Sequence, residues 1–389
     1  MDEVDAVVVG GGPAGATAAT DLARRGRRVL LLDWAGRIKP CGGAIPPRLI
    51  RDFAIPDDLL VARIRAARMV SPKNRAVDMP VGEGFVGMVD RGPFDEWLRA
   101  RAARAGAERR TGTFLRLTRG GEGVTVHYRG ADGAAGAART RLVVGADGAA
   151  STVGRQEIPG HARLRQVFAY HEIVRAPEAG AFDGARCDVY YQGVLSPDFY
   201  AWIFPHGDTL SIGTGSARKG FSLRGAVGRL RAATGLDAGE TLRREGAPLP
   251  LKPLRRFDNG RDVLLTGDAA GLVAPASGEG IYYAMLGGRL TAEAADAFLE
   301  SGDARALASA RRRFLAAHGR VFWILRLMQT VWYRNDALRE RFVSICRDPD
   351  VQSLTWDAYM NKELVRAKPA AHARIFMKDL AHLFGWVSP

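Results

Sequence analysis

The residues best placed to do chemistry lie near the start of the chain. Gly10, Gly12 and Gly15 follow the apolar run 6–9, and Asp33 ends a second apolar run. In such a turn the first glycine allows a tight bend, the second lets the backbone approach a pyrophosphate, and the third lets a helix pack on a strand. The carboxylate then accepts hydrogen bonds from a ribose. This spacing predicts a dinucleotide site.

The elements that must position these residues are a strand, a glycine turn, a helix and a second strand. Pro13 and Ala14 stand where the helix is predicted to begin. Unpaired backbone N–H groups and the positive end of the helix dipole favour a phosphate there. Two later apolar runs also end in turns with a glycine and an acid, at 145–148 and 267–270.

The composition is that of a globular protein, with 389 residues, 47% hydrophobic and 25% charged. No apolar run is long enough to span a membrane, and the acidic start leads directly into a strand, so no signal peptide is expected. Three separated cysteines form no CxxC pair, which favours a reducing cytoplasm and predicts no metal site.

The net charge of +14 favours anionic partners. No nucleic-acid motif accompanies it, so no nucleic-acid partner is expected.

The three strands that end in these turns lie far apart along the chain, so the nucleotide domain is predicted to be discontinuous. The predicted fold class is α/β, a two-domain Rossmann-like dinucleotide-binding fold with an inserted antiparallel-sheet substrate domain and a helical C-terminal region. Residues 1–66, 90–165 and 255–303 are assigned to the dinucleotide-binding domain. Residues 67–89 and 166–254 are assigned to the substrate domain, and 304–389 to the helical region.

The two later turns resemble the second and third fingerprints of the two-domain FAD reductases and hydroxylases. The resemblance implies that Asp268 contacts the ribityl chain of FAD. It also implies that backbone N–H groups at Gly278, Gly280 and Ile281 face the flavin pyrimidine, where they stabilise negative charge on the reduced ring.

Two further segments resemble the geranylgeranyl reductases. Residues 40–44 are similar to their cysteine–glycine loop, with Ala44 where many relatives have a third glycine, and 197–205 match their PxxYxWxFP pattern. The resemblance extends to 82–91 and 356–362 and is closest to the branch that acts on chlorophylls and bacteriochlorophylls. It implies cofactor contacts at Cys41, Gly42, Gly43, Ala44 and Arg91.

That family uses NADPH, through FAD, to reduce isolated double bonds of a geranylgeranyl chain, and the chlorophyll branch saturates three of the four to give phytyl. The expected substrate is therefore a geranylgeranyl pigment ester, and also the diphosphate. No second GxGxxG with a strand–turn–helix context of its own is apparent, so NADPH is expected to bind transiently at the flavin.

An aromatic stripe fits a polyprenyl substrate. In a strand, Tyr200, Trp202 and Phe204 fall on one face because side chains alternate, and Pro205 follows them in the motif. Burial of the apolar chain supplies binding energy, about 25 cal/mol per Å². The alternative is that these residues are ordinary aromatics of a sheet core.

Reduction of an isolated alkene needs a proton donor and a dry site, because no carbonyl takes up the developing charge. The candidate donors are Cys41, Tyr200 and His206. Each has a structural alternative: a buried small side chain, a sheet anchor and a loop histidine.

The C-terminal third has two stretches rich in apolar and aromatic residues, 321–333 and 375–387. Basic amphipathic helices of this kind lie in a bilayer interface; the alternative is packing on the protein body. The insoluble substrate also favours a cytoplasmic protein in peripheral contact with the photosynthetic membrane. The competing functions are an archaeal-type ether-lipid reductase, an FAD-dependent aromatic hydroxylase and a flavin-bearing pigment- or membrane-binding protein without turnover.

Overall fold

The computed structural model describes residues 2–34, 39–121, 123–178 and 182–362. Its strands are β1 Asp2–Val9, β2 Val29–Asp33, β3 Ala44–Ile45, β4 Leu60–Ile64, β5 Ala66–Val70, β6 Ala76–Pro80, β7 Val86–Val89, β8 Glu108–Arg119, β9 Val124–Gly130, β10 Ala135–Gly145, β11 Gln166–Arg175, β12 Arg186–Tyr190, β13 Ala201–His206, β14 Thr209–Ser216, β15 Thr241–Pro250 and β16 Val263–Leu265. Its α-helices are α1 Pro13–Arg24, α2 Pro47–Asp52, α3 Arg91–Arg104, α4 Thr152–Glu157, α5 Leu223–Ala233, α6 Ile281–Ser301, α7 Ser309–Trp332, α8 Asp336–Ile345 and α9 Pro349–Asn361.

The chain forms two compact units, each built from three segments. The first contains Met1–Lys39, Arg91–Gln166 and Pro248–Phe322, and the second contains Pro40–Asp90, Val167–Ala247 and the chain from Trp323 onward. These boundaries differ from the predicted ones at 40–66, at 248–254 and within 304–389. Residues 40–66 join the second unit because β3 and β4 both pair with β7, and the other boundary falls inside α7.

The first unit is organised around a parallel sheet. β1 pairs in parallel with β2 on one side and β10 on the other, β8 extends the sheet beyond β2, and β16 extends it beyond β10. β9 joins the outer ends of β8 and β10 in antiparallel pairing. The central strands are buried apolar runs, as expected for a sheet covered on both faces. The three glycine-containing turns therefore follow the carboxyl ends of neighbouring strands, where α/β proteins bind their ligands.

The second unit contains a seven-stranded sheet in the order β15-β11-β14-β13-β12-β5-β6 and a three-stranded sheet in the order β3-β7-β4. On one face of the larger sheet, α5 packs against a core that includes Ala201, Ile203 and Ile212. Adjacent positions along β13 point to the opposite face, so Trp202 and Phe204 lie on the other side.

The described part of the C-terminal third is helical beyond residue 304, as predicted. Asn335 caps α8, and Asp348 caps α9 with Pro349 at its first position. The predicted amphipathic stretch 375–387 lies outside the described residues. Within the described ranges, no helix is long and apolar enough to cross a membrane.

Candidate active site

The first glycine turn is shaped by close backbone contacts. Gly10 has a φ of +104°, and a Cβ there would lie 2.4 Å from the carbonyl oxygen of Ala146. A Cβ on Gly15 would lie 1.9 Å from the carbonyl oxygen of Gly10. Gly12 differs, because a Cβ there would meet nothing within 4 Å. Packing therefore demands glycine at positions 10 and 15, whereas the surface at Gly12 is open to a ligand.

The helix that follows keeps its N-terminus available for an anion. Gly12 precedes α1, Pro13 occupies its first turn, and no side chain caps it. A pyrophosphate can therefore bind the first backbone N–H groups without displacing a capping residue.

Asp33 is placed beside this turn at the end of β2. A Cβ on Gly11 would lie 2.6 Å from Asp33 Oδ2. Arg99 of α3 donates to the same oxygen over 3.2 Å and to the carbonyl of Gly11 over 3.4 Å. Arg99 was not predicted, because nothing in the local pattern of α3 links it to a strand so far away in the sequence. It orients the carboxylate that is expected to bind the ribose.

The second turn has a mainly structural role. Asp147 accepts hydrogen bonds from the backbone N–H groups of Thr152 and Val153, at 2.6 and 3.1 Å, and from the hydroxyl of Ser151. Burial raises the pKa of Asp147, and these hydrogen bonds oppose that shift. Asp147 thus holds the start of α4 while the preceding residue, Ala146, supports Gly10.

The third turn contains the buried carboxylate of Asp268, whose side chain is 5% exposed and pairs with the ammonium of Lys39. Gly267 has a φ of +60°, and a Cβ there would lie 2.6 Å from Cβ of Ala14, so this turn packs on the first turn of α1. Lys39 was not predicted, since the sequence gives no signal that it meets Asp268.

The start of α6 lies next to the same carboxylate. A Cβ on Gly280 would lie 3.7 Å from Asp268 Oδ1, and no side chain caps the helix before Ile281. Gly278 bends the preceding segment with a φ of +67°. α6 reaches this position by packing tightly on α1, since a Cβ on Gly288 would lie 2.3 Å from the carbonyl of Ala14. The site offers two uncapped helix starts, an open surface at Gly12 and the carboxylates of Asp33 and Asp268. These are the groups that FAD needs from a protein, so the residues fit that cofactor.

Arg91 is placed differently from the other predicted cofactor residues. It lies at the start of α3, almost fully buried, and its Nε and Nη2 donate to the two carboxylate oxygens of Asp95 at 2.9 and 2.7 Å. The structure therefore gives Arg91 a bidentate ion pair within its own helix. A role toward FAD stays a prediction.

In the second unit, the cysteine–glycine loop lies against the end of β13. The backbone N–H of Gly43 donates to Sγ of Cys41 over 3.4 Å. A Cβ on Gly42 would lie 3.0 Å from the ring of Phe204, and one on Gly43 would lie 2.5 Å from Cε1 of His206. Ala44 continues into β3, where it pairs with Met88. Three of the predicted residues, Cys41, Phe204 and His206, are thus brought together.

His206 holds this loop through both ring nitrogens. Nε2 lies 3.1 Å from the carbonyl oxygen of Gly42, and Nδ1 lies 3.2 Å from Oδ1 of Asp90. Both partners are acceptors, so the ring satisfies both only when it is protonated and donates twice. The hydrogen bond from His206 lowers the pKa of Asp90. This geometry favours a role for His206 in positioning the loop over the predicted role as proton donor.

Tyr200, Trp202 and Phe204 form one continuous aromatic surface, which we call the aromatic wall. The ring centroids of Tyr200 and Trp202 are 5.9 Å apart, and those of Trp202 and Phe204 are 6.0 Å apart. Pro205, predicted to bind substrate with them, lies on the opposite face of β13 because side chains alternate. The structure therefore separates Pro205 from the wall.

Aromatic residues of the C-terminal third approach the wall at both of its ends. Tyr191, whose ring is 6.1 Å from that of Tyr200, also contacts Tyr333 at 5.3 Å and Phe342 of α8 at 5.0 Å. At the other end of the wall, Phe204 packs on a buried cluster that includes Met88. Residues of α9 pack on the same cluster. The α9 residues are Trp356, Tyr359 and Met360. The wall thus lies in a dry, largely aromatic environment. Within the described part of the chain, no group of His, Cys, Asp and Glu side chains is arranged to hold a metal ion.

Comparison with known proteins agrees with this geometry. A family model described as pyridine nucleotide-disulphide oxidoreductase matches residues 4–154. The geranylgeranyl diphosphate reductase of Rhodobacter capsulatus is 58% identical over 387 residues, which cover 99% of this chain and 98% of that protein. Digeranylgeranylglycerophospholipid reductase 1 of Methanopyrus kandleri is 32% identical over 329 residues, 78% of this chain and 83% of that protein.

A solved structure agrees in fold. The geranylgeranyl bacteriochlorophyll reductase-like protein of Thermoplasma acidophilum superposes with a TM-score of 0.84, covering 99% of this chain and 98% of that one at 21% identity. The matched family model and the 58% identical relative, together with the glycine turns, define an FAD-dependent oxidoreductase. Within that class, the chain belongs to the geranylgeranyl reductase family.

Proposed function

We propose that this protein is an NADPH-dependent reductase that saturates three double bonds of a geranylgeranyl chain, giving phytyl, on a chlorophyll or bacteriochlorophyll ester and also on geranylgeranyl diphosphate. The observation that carries the proposal is the 58% identity, along almost the whole chain, to a geranylgeranyl diphosphate reductase. The archaeal ether-lipid reductase is much less similar, which favours the first substrate class.

The aromatic wall supports this substrate class. It offers a continuous apolar surface of the kind that a flexible hydrocarbon chain requires, and burying that chain provides the binding energy. An aromatic ring substrate of a hydroxylase would instead need a compact pocket with a few polar anchors. In our proposal, the wall binds the prenyl chain and excludes water from the reacting double bond.

FAD, when bound, supplies the hydride for each reduction. The protein must deliver the proton, and the candidates stay Cys41, Tyr200 and His206. Both ring nitrogens of His206 bind the loop and Asp90, which favours a positioning role for it and leaves Cys41 and Tyr200 to be tested first. Cys41 lies on the loop that touches Phe204, and the N–H of Gly43 faces its sulfur. Such a donor stabilises the thiolate that remains after proton transfer.

NADPH is proposed as a transient electron donor, since the second GxGxxG of the sequence, at 82–87, leads into β7 and not into a helix that could bind a pyrophosphate. Contact with an anionic membrane is proposed at α7, where Trp323 and Leu327 are exposed one helical turn apart. Such residues insert at the boundary between headgroups and acyl chains.

The proposed reaction is tested by mixing the purified yellow protein, without oxygen, with NADPH and geranylgeranylated bacteriochlorophyll in detergent. Mass spectrometry is expected to show up to three successive gains of two hydrogens. Bleaching of the flavin without a mass change would exclude this substrate. Absence of bleaching would exclude NADPH as the donor and favour a binding protein without turnover.

The proton donor is identified with Cys41→Ser and Tyr200→Phe in the same assay. Loss of the donor is expected to lower kcat by about 10²-fold or more while the flavin still accepts hydride from NADPH. If both variants keep the wild-type kcat, neither residue delivers the proton.

A further inference from the structure

We propose that His171 and Glu245 are positioning residues for this reaction, which act through Ser211 to fix the indole ring of Trp202 in the aromatic wall. The proposal rests on the proposed function only in that the wall must bind the prenyl chain. His171, Ser211 and Glu245 belong to none of the motifs identified in the sequence.

The four side chains form an unbroken hydrogen-bonded series across adjacent strands. Nε1 of Trp202 lies 3.2 Å from Oγ of Ser211. The same oxygen lies 2.9 Å from Nδ1 of His171, whose Nε2 lies 3.0 Å from Oε2 of Glu245.

The chemistry of these groups fixes the direction of the two outer bonds. An indole N–H can only donate, so the oxygen of Ser211 accepts from Trp202. A carboxylate can only accept, so Nε2 of His171 donates to Glu245. Ser211 and Nδ1 of His171 share the bond between these two. The bond from His171 also lowers the pKa of Glu245, so the acceptor at the end of the series is a carboxylate.

Burial makes the series costly to break. Ser211 and His171 are almost completely buried, at 0% and 3% exposure, while Glu245 reaches the edge of the protein beside Arg243. Removing one member leaves buried polar atoms of its neighbours without partners. This raises the free energy of the conformation in which the remaining side chains are hydrogen-bonded. The series therefore favours one orientation of the indole.

The backbone beneath the indole carries no side chain. Trp202 and His171 are both in register with Gly213 of β14, on either side of it. A Cβ on Gly213 would lie 2.2 Å from Cζ2 of Trp202, so the ring lies directly on this backbone. Trp202 is 6% exposed and packs between the rings of Tyr200 and Phe204. The bond to Ser211 adds the directional contact that selects one orientation of the ring among these apolar neighbours.

A fixed indole matters because a long prenyl chain contacts the whole wall, whereas the reacting double bond alone contacts the catalytic groups. Rotation of the ring is expected to weaken binding of the long chain while the chemical step keeps its rate. The expected signature is a higher KM with an unchanged kcat.

The test is a double-mutant cycle. Glu245→Gln and Ser211→Ala are made in the wild type and in Trp202→Phe, which keeps an aromatic ring but has no N–H. In the wild-type background each is expected to raise KM for the geranylgeranyl substrate by about threefold to tenfold, with kcat and FAD content unchanged. In the Trp202→Phe background they are expected to have little further effect. Glu240→Gln, which alters an exposed ion pair with Arg175, is the matched control.

A second readout does not depend on turnover. In protein labelled with 5-fluorotryptophan, the fluorine resonance of Trp202, assigned by its loss in Trp202→Phe, is expected to shift or broaden in Glu245→Gln. An unchanged resonance, or equal effects of Glu245→Gln on KM in both backgrounds, overturns the positioning role. A wild-type protein that leaves the prenyl chain unreduced overturns the proposed function instead.

Discussion

At the scale of single residues, Asp268 shows how a carboxylate is kept ready for a cofactor. It is buried at the end of β16, pairs with Lys39, and lies next to the uncapped start of α6. A buried charge needs partners, and the ammonium supplies one while the second oxygen faces Gly280. A ribityl hydroxyl can donate to that oxygen without breaking the ion pair.

Asp268→Ala is therefore expected to weaken FAD binding by about 10- to 100-fold, the range for a lost hydrogen bond to a charged group. The dissociation constant is measured by titrating the apoprotein with FAD and following flavin fluorescence. Asp303→Ala, which removes an exposed acid paired with Arg305, is the control and is expected to bind FAD normally. Equal affinity in both variants would remove Asp268 from the FAD site.

His206 and Asp90 illustrate a different use of charge at the residue scale. His206 lowers the pKa of Asp90, so the unfolded chain binds a proton more readily at this carboxyl group than the folded protein does. The pair then contributes stability at pH values above the unfolded pKa of about 4, and the contribution is lost as the pH falls through the lower folded pKa. Asp90 is half exposed, so the effect is small.

Asp90→Asn is expected to be less stable than the wild type at pH 7, with a difference that shrinks as the pH falls below about 4. Denaturant unfolding at several pH values measures it. A difference that grows toward acid pH would contradict the ion pair. Because Asp90 also supports the ring that binds Gly42, the same variant is expected to lower activity without changing FAD content.

At the scale of elements, the FAD site depends on the close packing of α6 on α1. Gly288 touches the carbonyl of Ala14 so closely that a methyl group would be 2.3 Å from it. A backbone carbonyl cannot move aside like the end of a flexible side chain, so the two helices would have to separate. Their N-termini, which flank the proposed cofactor, would move with them.

Gly288→Ala is expected to destabilise the protein by about 1–3 kcal/mol, as overpacked cores do, and to reduce FAD retention. Gly319→Ala in α7 is the matched control, because a methyl group there meets only Leu315 at ordinary distance. In a helix this control change is expected to be neutral or to stabilise by up to about 1 kcal/mol. Thermal unfolding and the flavin-to-protein absorbance ratio distinguish the two, and equal behaviour would refute the packing argument.

The same elements explain what the sequence could and could not predict. The strands, turns and helices that contain Gly10, Asp33 and Asp268 were predictable because their pattern is local: an apolar run, then a turn, then a helical period. Lys39, Arg99 and His171 were not predictable, since each meets a partner that is distant in the sequence through the tertiary arrangement of the elements. Pro205 shows a related limit, because a motif in the sequence does not tell which face of a strand each member occupies.

At the scale of the whole molecule, the discontinuous organisation was predictable from the distance between the glycine turns, but its boundaries were not. The two complete strands within residues 40–66, β3 and β4, are short, and the assignment of this segment depends on their pairing with β7. That pairing places Cys41 in the unit that contains the aromatic wall. The family resemblance implies that the loop containing Cys41 contacts the cofactor. This loop is thus part of the unit that we propose binds the substrate.

The charge of the whole molecule and one surface of α7 together predict how the protein meets its insoluble substrate. Trp323 and Leu327 are 66% and 48% exposed, Arg326 is exposed on the same turn of α7, and the net charge is +14. Burying a large apolar side chain in the membrane contributes about 1.5–3 kcal/mol. The double variant in which Trp323 and Leu327 are both changed to Ser is therefore expected to bind phosphatidylglycerol vesicles at least about tenfold more weakly. Co-sedimentation measures this, and added salt is expected to weaken the wild type as well, since arginine attraction to anionic lipid is screened.

The matched control for this surface is Val194→Ser, which removes another strongly exposed apolar side chain from the same unit. It is expected to leave vesicle binding unchanged, because exposure alone does not create an interfacial surface without neighbouring aromatic and basic residues. The double variant is expected to keep its activity on substrate in detergent and to lose it on substrate in vesicles. Wild-type binding by the double variant would refute a role for α7 in membrane contact. A loss equal to that of Val194→Ser would mean that exposed apolar area as such, rather than this helix, governs association.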